Sequence, residues 1–541
     1  MLRLYGFLSF VVIMVVPGSE HANSQVATSD STIKCSFPSA AGAILRQPGS
    51  PTSQRQERQK SILAGNFRVH YDTSGAHAPA FLDEFSRPIP GTADAFADSA
   101  ASIANSAWNY QTTSLSYLPP PVDGGLGGGP EYDVYILHLG SLYGSTFPET
   151  PIDNKPDGVR YSTYMEIDND FVFVNPPPNR GLPALRVTLA HELFHAIQIG
   201  GYGLWQQHIY FYEMTATWME DVLFDDVDDY IQYLFAGESQ FSRPDLPFTS
   251  STLIMYSRAV WGHFLEKRFG RDAVRTTWEF SLQYDVSPLT AMDLTLQTTT
   301  YQSNLRDAFS EWTLWNYFTG SRFDPEYYPE GDRYPLIMES SVVFSEPLDT
   351  LGGSLPPLAS MYYHVTSGGA PLELAASNLD LTAAEAGLID DKEFSYFLSS
   401  GETDPDYQAT LSGVYVKTAV DNPYNWHTWA VVNGVPSALG AELLPGASQD
   451  PFPSPFSPGI HRSLNVPLGS DYPPDVQLLI FSSDMSLVYS GTVITGLENG
   501  KRVVRWDGKT ASGDVAQTGI YFFAATGNGR MAKGKFALVR R

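Results

Sequence analysis

A His-Glu-x-x-His pattern occupies positions 191–195, which read His191-Glu192-Leu193-Phe194-His195. Two histidines four positions apart on a helix project from one face, one turn apart, and can therefore ligate the same tetrahedral zinc ion. Glu192 is rotated by about 100° from His191, so it reaches a water beside the metal rather than the metal itself. The pattern predicts a zinc site at His191 and His195 with Glu192 as general base. A pair of helix histidines packed against a core would give the same pattern.

A catalytic zinc needs a third protein ligand, for which the chain offers two candidates. The pattern with a third histidine, His-Glu-x-x-His-x-x-Gly-x-x-His, is excluded because Gln198 and Gly201 stand where it needs Gly and His. Glu213 opens a second helical segment in which small residues follow at helical spacing, so this segment can approach the first closely. His208 is the alternative and precedes that segment.

Three other residues are candidates for supporting roles. In peptide hydrolysis, a hydrogen-bond donor opposite the metal stabilises the tetrahedral intermediate. Tyr256 and His263 are both candidates for this donor. Glu220, seven residues after Glu213, could orient a ligand histidine through its second ring nitrogen, and a solvated helix face is the alternative. We select Tyr256 as the candidate catalytic residue, and a purely structural role is the alternative, since the chain has 30 tyrosines.

The pattern of apolar residues indicates the elements that position these side chains. Alternation predicts strands at residues 67–71 and 132–137, and residues 161–174 are rich enough in Tyr, Ile, Val and Phe for one or two more. Helical spacing predicts a helix at residues 95–108 and another at 187–199, which carries the His pair directly after the sheet.

A helical half follows the His pair. Further helices are predicted at residues 210–223, 255–269, 272–284 and 304–318. Helix signals end near residue 324. Residues 61–330 therefore form a predicted α+β domain, in which a mixed sheet and an active-site helix precede a helical subdomain.

Two small all-β sandwich domains are predicted after this region. Residues 331–444 read as short strands between Gly, Pro and Asp clusters. Residues 445–541 begin with five prolines between positions 445 and 458 and are strand-like thereafter. Trp506 and Tyr521 are the expected core anchors of this last region.

The first 60 residues are predicted to lie outside the catalytic domain. Residues 1–24 have a basic start, an apolar run and small residues at positions 22 and 24, as in a secretory signal peptide, which predicts a secreted or cell-surface protein. Residues 25–60 are polar and indicate a linker or short pro-segment. Cys35 is the only cysteine, so no intramolecular disulfide can form.

Charge restricts the partners. The formal net charge of −26 would repel phosphate backbones and anionic lipid surfaces, so we expect no nucleic-acid partner. No stretch after the signal peptide approaches about 18 uninterrupted apolar residues, so no membrane span is expected. Acidic stretches at 153–158 and 221–229 make Ca²⁺ a second conceivable cofactor, but neither has the ligand spacing of an EF-hand, and a turn and a solvated loop are the expected structures.

Residues 212–220, YEMTATWME, resemble the second motif of the gluzincin peptidases, which supplies a helix-borne Glu about twenty residues after the His pair. The resemblance extends over residues 67–318 and includes 187–190, 196–198 and 311–312. It is closest in character to secreted bacterial gluzincin-like peptidases. It implies a zincin-like fold, one catalytic Zn²⁺ held by His191, His195 and Glu213, and water activation by Glu192. Met214 departs from the Gly that is common after this Glu.

A second resemblance concerns the carboxyl-terminal region. Residues 504–508, VRWDG, and 519–522, GIYF, are similar to an immunoglobulin-like module that closes flagellar hook-cap proteins and many enzymes exported by type IX secretion. The resemblance covers about 90 residues and implies contact with secretion machinery or attachment to the cell surface. A stabilising sandwich without a sorting role is the alternative.

The sequence thus predicts a secreted zinc-dependent endopeptidase that hydrolyses peptide bonds of protein or peptide substrates with a zinc-activated water. The alternative from another class is a catalytically silent surface or adhesion protein. In that case the metal only joins helices, and the β-modules bind a glycan or a protein.

Overall fold

A computed structural model describes residues 9–15, 34–36, 55–155 and 157–343, then strands and short connections up to residue 433, and most of residues 451–540. Of the predicted signal peptide, only β1 (Ser9–Val15) is described, as a strand whose main chain pairs in parallel with two strands of the region after residue 340. Removal of residues 1–24 stays a prediction. Of the predicted pro-segment, residues 34–36 and 55–60 are described.

A five-stranded mixed sheet forms the first layer. Its strands are β2 (Lys60–Ala64), β3 (Phe67–Tyr71), β4 (Tyr132–Leu137), β5 (Gly144–Pro151) and β6 (Tyr161–Asp168). The order is β2-β3-β4-β6-β5, with parallel pairs β3–β4 and β4–β6 and antiparallel pairs at both ends. Among these five strands, β5 lies at one edge of the sheet.

Residues 161–174 contribute one strand and not two. β6 ends at Asp168, whose carboxylate accepts hydrogen bonds from the main-chain N–H groups of Asp170 (3.2 Å) and Phe171 (2.8 Å). A side chain that satisfies the donors of the following turn ends the strand there.

Helices cover the sheet and extend the domain. Before and at the His pair they are α1 (Ala93–Trp108) and α2 (Leu182–Ile197); after it come α3 (Ile209–Phe224), α4 (Ile231–Leu234), α5 (Ile254–Ser257), α6 (Ala259–Phe269), α7 (Asp272–Tyr284), α8 (Pro288–Leu296) and α9 (Leu305–Trp315). The sheet and these helices share one hydrophobic core. The prediction of mixed α and β elements is confirmed for this region.

The helix expected at residues 255–269 is interrupted. It is split into α5 and α6 at Arg258, a buried residue whose guanidinium donates to the carbonyl oxygens of Leu246, Pro247 and Phe248 at 2.6 to 2.9 Å. These hydrogen bonds to the loop that precedes α5 hold the Arg258 side chain at the position where the two helices separate. Helix α8 was not predicted; Ser287 caps it and Pro288 opens it, the usual start of a helix.

The described residues between 339 and 433 include the strands β7 (Glu339–Val343), β8 (Leu348–Gly353), β9 (Ala359–Thr366), β10 (Leu372–Asn378), β11 (Phe394–Ser400), β12 (Asp404–Thr410), β13 (Tyr415–Val420) and β14 (Trp426–Asn433). They form two sheets, β13-β10-β1-β8 and β12-β11-β14-β9-β7.

The carboxyl-terminal strands are β15 (Leu464–Leu468), β16 (Asp475–Ser482), β17 (Leu487–Ile494), β18 (Gly496–Glu498), β19 (Lys501–Trp506), β20 (Gly519–Gly527) and β21 (Arg530–Leu538). They form the sheets β15-β19-β18 and β17-β16-β20-β21, which contribute to one core. Trp506 and Tyr521 are buried in this core, as expected.

Among the described residues, no helix has both the length and the apolar composition that a membrane crossing requires.

Candidate metal centre

Helices α2 and α3 place the predicted ligands against each other. Helix α2 begins after Gly181 with Pro183 in its first turn and is buried almost continuously from Ala184 to its end. Helix α3 carries Ala216 and Thr217 among its buried residues, and side chains of this size permit close packing of two helices. The His pair and Glu213 therefore meet in the interior of the domain.

His191, His195 and Glu213 converge on one point. The imidazole Nε2 atom of His191 lies 3.2 Å from Oε2 of Glu213, and Nε2 of His195 lies 3.5 Å from Oε1 of the same carboxylate. All three side chains are at most 1% exposed. The structure thus brings together the three residues that the sequence predicted as zinc ligands.

The other ring nitrogens have separate partners. Nδ1 of His191 lies 2.7 Å from Oε1 of Glu220, and Nδ1 of His195 lies 2.7 Å from Oε1 of Gln198. Both partners accept through these oxygen atoms, so each Nδ1 carries a hydrogen, and Nε2, which faces Glu213, is the nitrogen that each ring has left for a metal ion. This is the tautomer that a metal ligand requires.

Gln198 is a positioning residue that the sequence analysis did not identify. Its amide nitrogen donates to the carbonyl oxygen of Tyr212 at 3.1 Å and to Oγ1 of Thr215 at 2.9 Å, which fixes the orientation of its Oε1 atom toward His195. Its position three residues after His195, one helical turn away, was the available signal.

The geometry fits zinc. Around a tetrahedral zinc with bonds of about 2.1 Å, neighbouring ligand atoms are about 3.4 Å apart, and the two separations to Glu213 are 3.2 and 3.5 Å. Oε1 of Glu213 is buried and has no hydrogen-bond donor among the described residues. Two neutral imidazoles and a carboxylate are a donor set that zinc prefers. His191, His195 and Glu213 would hold the ion.

The electrostatics favour a cation at the same point. Burial lowers the pKa of His191, but the carboxylates of Glu213 and Glu220 outweigh burial and raise this pKa to about 10. Burial raises the pKa of Glu213, but the two histidines outweigh it and lower the pKa to about 2. Positive charge is therefore stabilised between these side chains.

Glu192 lies beside this cluster and outside it, as predicted. The hydroxyl of Thr146 on β5 lies 2.7 Å from the carboxylate of Glu192 and 2.8 Å from its main-chain oxygen, so it fixes the side chain. Burial raises the pKa of Glu192, and the neighbouring His191 and His195 side chains partly oppose this effect. A carboxylate that is held in place and whose pKa is raised accepts a proton more readily than an ordinary glutamate.

The three remaining candidate residues, Tyr256, His263 and His208, differ in their surroundings. Tyr256 is fully buried, and Glu213 is near enough for its charge to add to the effect of burial, which raises the pKa of the Tyr256 hydroxyl well above its usual range. His263 packs on the ring of Tyr230, and burial lowers its pKa to about 3. Nδ1 of His208 lies 3.2 Å from the Tyr210 hydroxyl oxygen. His208 does not belong to the ligand cluster, the group of possible metal-binding side chains that contains His191, His195 and Glu213.

A short segment of the predicted pro-segment also reaches the cluster. The sulfur of Cys35 and ligand atoms of His191, His195 and Glu213 all lie within 4.8 Å of one another. The ammonium group of Lys34 forms a buried ion pair with Glu220 and another with Asp229, the latter at 2.5 Å. The sequence analysis assigned no role to either residue.

The acidic stretches have other partners. The Asp153 carboxylate pairs with Arg160 at 2.9 Å, which supports the expected turn. Carboxylate oxygens of Asp221, Asp228 and Glu330 lie within 4.8 Å of one another, and Arg333 pairs with Asp228 at 2.8 Å. Burial, and then the charge of Glu330, raise the pKa of Asp221 to about 8. An arginine within this group supplies positive charge without a calcium ion.

Comparisons with known proteins give no family. No family model matches the chain, and no curated protein matches it. One similar solved structure is PorZ, an essential bacterial surface component of the type IX secretion system of Porphyromonas gingivalis, with 18% identity over 21% of this chain and 14% of PorZ, at a TM-score of 0.13. Another is a GH2 β-galacturonidase from Eisenbergiella tayi, with 10% identity over 33% of this chain and 35% of the enzyme, at a TM-score of 0.10. The chain therefore spans only a minor part of either structure, and TM-scores this low carry no argument about its fold or activity.

Proposed function

We propose that this protein is a gluzincin-like zinc peptidase, with His191, His195 and Glu213 as zinc ligands and Glu192 as general base. The observation that carries the proposal is the buried convergence of two imidazole Nε2 atoms on one carboxylate at 3.2 and 3.5 Å, with both Nδ1 atoms engaged elsewhere. A histidine pair that served only packing would not need two separate acceptors to fix its tautomers.

The side chains around this point can carry out peptide hydrolysis. Zinc, when bound, acidifies a water molecule and polarises a substrate carbonyl. Glu192 accepts the proton of the attacking water and returns it to the leaving amine, and Thr146 keeps its carboxylate in place. Tyr256 stays protonated at neutral pH, because burial raises its pKa, and can donate to the developing oxyanion.

The edge strand β5 supports an extended peptide as the substrate. It supplies Thr146 to the base, and its first residue, Gly144, packs so closely on α2 that an added Cβ would lie 3.0 Å from the Glu192 side chain. A peptide that pairs with such an edge gains main-chain hydrogen bonds whatever its side chains are. Protein or peptide chains are therefore the proposed substrate class.

The finer architecture belongs to the same proposal. Residues 61–330 would be a zincin-like domain, which a sheet followed by the buried His-pair helix supports. Residues 331–444 and 445–541 would be small β-sandwiches, the second immunoglobulin-like, and the two carboxyl-terminal sheets with one common core support this. Export with residues 1–24 as signal peptide, and attachment or sorting through the last domain, rest on the sequence alone.

Metal content and hydrolysis test the function. Because Cys35 lies among the ligand atoms, the intact protein and a Cys35→Ser variant are both purified and assayed. We expect one zinc per chain by elemental analysis, and casein hydrolysis by the variant that a chelator abolishes and zinc restores. Bound zinc without turnover of casein or of a peptide library would favour the catalytically silent alternative.

A further inference from the structure

Cys35 occupies a position that a fourth zinc ligand would take. Its side chain is 1% exposed, and its sulfur belongs to the group of ligand atoms that lie within 4.8 Å of one another. The three protein ligands of a catalytic zinc leave one position of the tetrahedron, and a thiolate is a strong zinc ligand. The buried Glu213 Oε1 atom, which has no hydrogen-bond donor among the described residues, points independently to a cation at this place.

Lys34 attaches the same segment to the site through a second contact. Its ammonium group is 1% exposed and pairs with Glu220, the carboxylate that also holds Nδ1 of His191, and with Asp229. Burial lowers the pKa of Lys34, but Asp229 and Glu220 outweigh burial and raise it, so the group is charged. A buried lysine with two carboxylate partners fixes the position of its neighbour Cys35.

The main chain of residues 34–36 lies where we place the substrate. The N–H of Tyr143 donates to the carbonyl oxygen of Lys34 at 3.1 Å, the N–H of Ser36 donates to that of Gly144 at 3.4 Å, and Cys35 pairs with Gly144 in parallel. The segment thus extends the sheet at β5. Because the Lys34 carbonyl accepts from Tyr143, the thiol and not this carbonyl is presented to the ligand cluster.

Cys35 also engages the two proposed catalytic side chains. Its N–H lies 3.4 Å from the Tyr256 hydroxyl oxygen. Its thiol hydrogen-bonds with the carboxylate of Glu192, one of the contacts that lower the pKa of this carboxylate against the effect of burial. Residues 34–36 therefore contact the proposed metal ligands, the proposed base Glu192, the proposed oxyanion donor Tyr256 and strand β5.

We propose that Cys35 is the fourth ligand of the metal in the intact chain and that residues 34–36 keep the peptidase latent. The inference rests on the proposed function, since it concerns the same metal. With the ion bound, the Cys35 sulfur would take the position of the water, and Glu192, which hydrogen-bonds the thiol, would hold the thiol proton. Withdrawal of residues 34–36 would return this proton to the thiol and leave the position open to water.

Tethering makes this inhibition effective. A ligand on the same chain acts at an effective concentration of about 1 mM, so a contact with an intrinsic dissociation constant of about 10 μM would reduce activity about 100-fold. The ion pairs of Lys34 add to this contact. Loss of either residue should raise the activity of the intact chain.

Cobalt substitution tests the ligand directly. The full chain and its Cys35→Ser variant are stripped with a chelator and loaded with Co²⁺, and absorption spectra are recorded. We expect visible bands of bound cobalt in both proteins and near-ultraviolet sulfur-to-cobalt absorption in the wild type alone. Visible bands without the sulfur band in the wild type would overturn the role of Cys35 and leave the metal site standing. If neither protein binds cobalt, the metal centre and the proposed function fail together.

Hydrolysis of a fluorogenic peptide tests latency. Cys35→Ser should be about 100-fold faster than the wild type, and Lys34→Ala should also be faster. Lys60→Ala, which removes an exposed lysine paired with Asp94, is the matched control and should be unchanged. Equal rates in the wild type and Cys35→Ser, whether high or undetectable, would overturn the latency.

Discussion

Glu220 is the residue whose replacement tests how the site is positioned. Its carboxylate accepts from Nδ1 of His191 at 2.7 Å and is 2% exposed, so the hydrogen bond is short, charged and shielded from water. Loss of such a partner of a metal-binding histidine weakens metal affinity about 10- to 100-fold, which is about 1.4 to 2.7 kcal/mol. Glu220→Gln keeps an acceptor and should lie at the lower end of this range, and Glu220→Ala at the upper end.

Zinc affinity is measured by competition with a chromophoric chelator, and thermal unfolding is followed in parallel to show that each variant folds. Glu311→Gln is the matched control, because Glu311 pairs with Arg268 on the surface and should leave zinc affinity unchanged. If Glu220→Ala binds zinc as tightly as the wild type, Glu220 does not position His191 and the reasoning from the hydrogen bond is wrong.

Further predictions concern Glu213 with His208 as its control, Tyr256, and Asp221. Glu213→Ala should weaken zinc binding by more than the 10- to 100-fold typical of an outer-sphere residue, while His208→Ala should leave it unchanged; the reverse result in the same chelator competition would exclude Glu213 as a ligand. Tyr256→Phe, made in the Cys35→Ser variant, should keep its zinc and lower kcat by about 100-fold or more, and an unchanged kcat would remove Tyr256 from the mechanism. Asp221→Asn should raise the unfolding temperature more at pH 8 than at pH 4, because burial and Glu330 raise the pKa of Asp221 to about 8. Between about pH 4 and pH 8, Asp221 of the wild type is protonated in the folded state and ionised in the unfolded state. The stability of the wild type therefore falls as the pH rises, by up to about 1.4 kcal/mol per pH unit. A difference in unfolding temperature between wild type and variant that does not vary with pH would contradict this.

The ligand cluster could be predicted because helical geometry is local. His191 and His195 share one face of a single helix, and Glu213 and Glu220 lie two turns apart on the next, so helical spacing predicted that each pair shares a face. The choice of Glu213 also depended on the resemblance of residues 212–220 to the gluzincin motif, and a solvated position was the alternative for Glu220. The prediction also required that α3 pack against α2, a contact between separate elements, and the small residues on α3 indicated this packing.

Other features depend on contacts that no local pattern encodes. Lys34 and Cys35 stand in a polar stretch, and Lys34 meets Glu220 across 186 positions of the chain. At the break between α5 and α6, the buried Arg258 side chain donates to carbonyl groups of the preceding loop, 10 to 12 residues earlier in the chain. Side chains that are buried and charged are usual signs of such contacts, but their partners can be found only in the folded chain.

The role of Glu192 as base is the central claim, and one variant tests it most directly. Glu192→Gln, made in the Cys35→Ser variant, keeps both histidines and Glu213 and removes only the group that accepts the proton. Zinc content and hydrolysis of the fluorogenic peptide are measured on the same preparation. We predict one zinc per chain and a rate about 100- to 10,000-fold below that of Cys35→Ser. A variant that holds its zinc and hydrolyses the peptide at the rate of Cys35→Ser would contradict the mechanism.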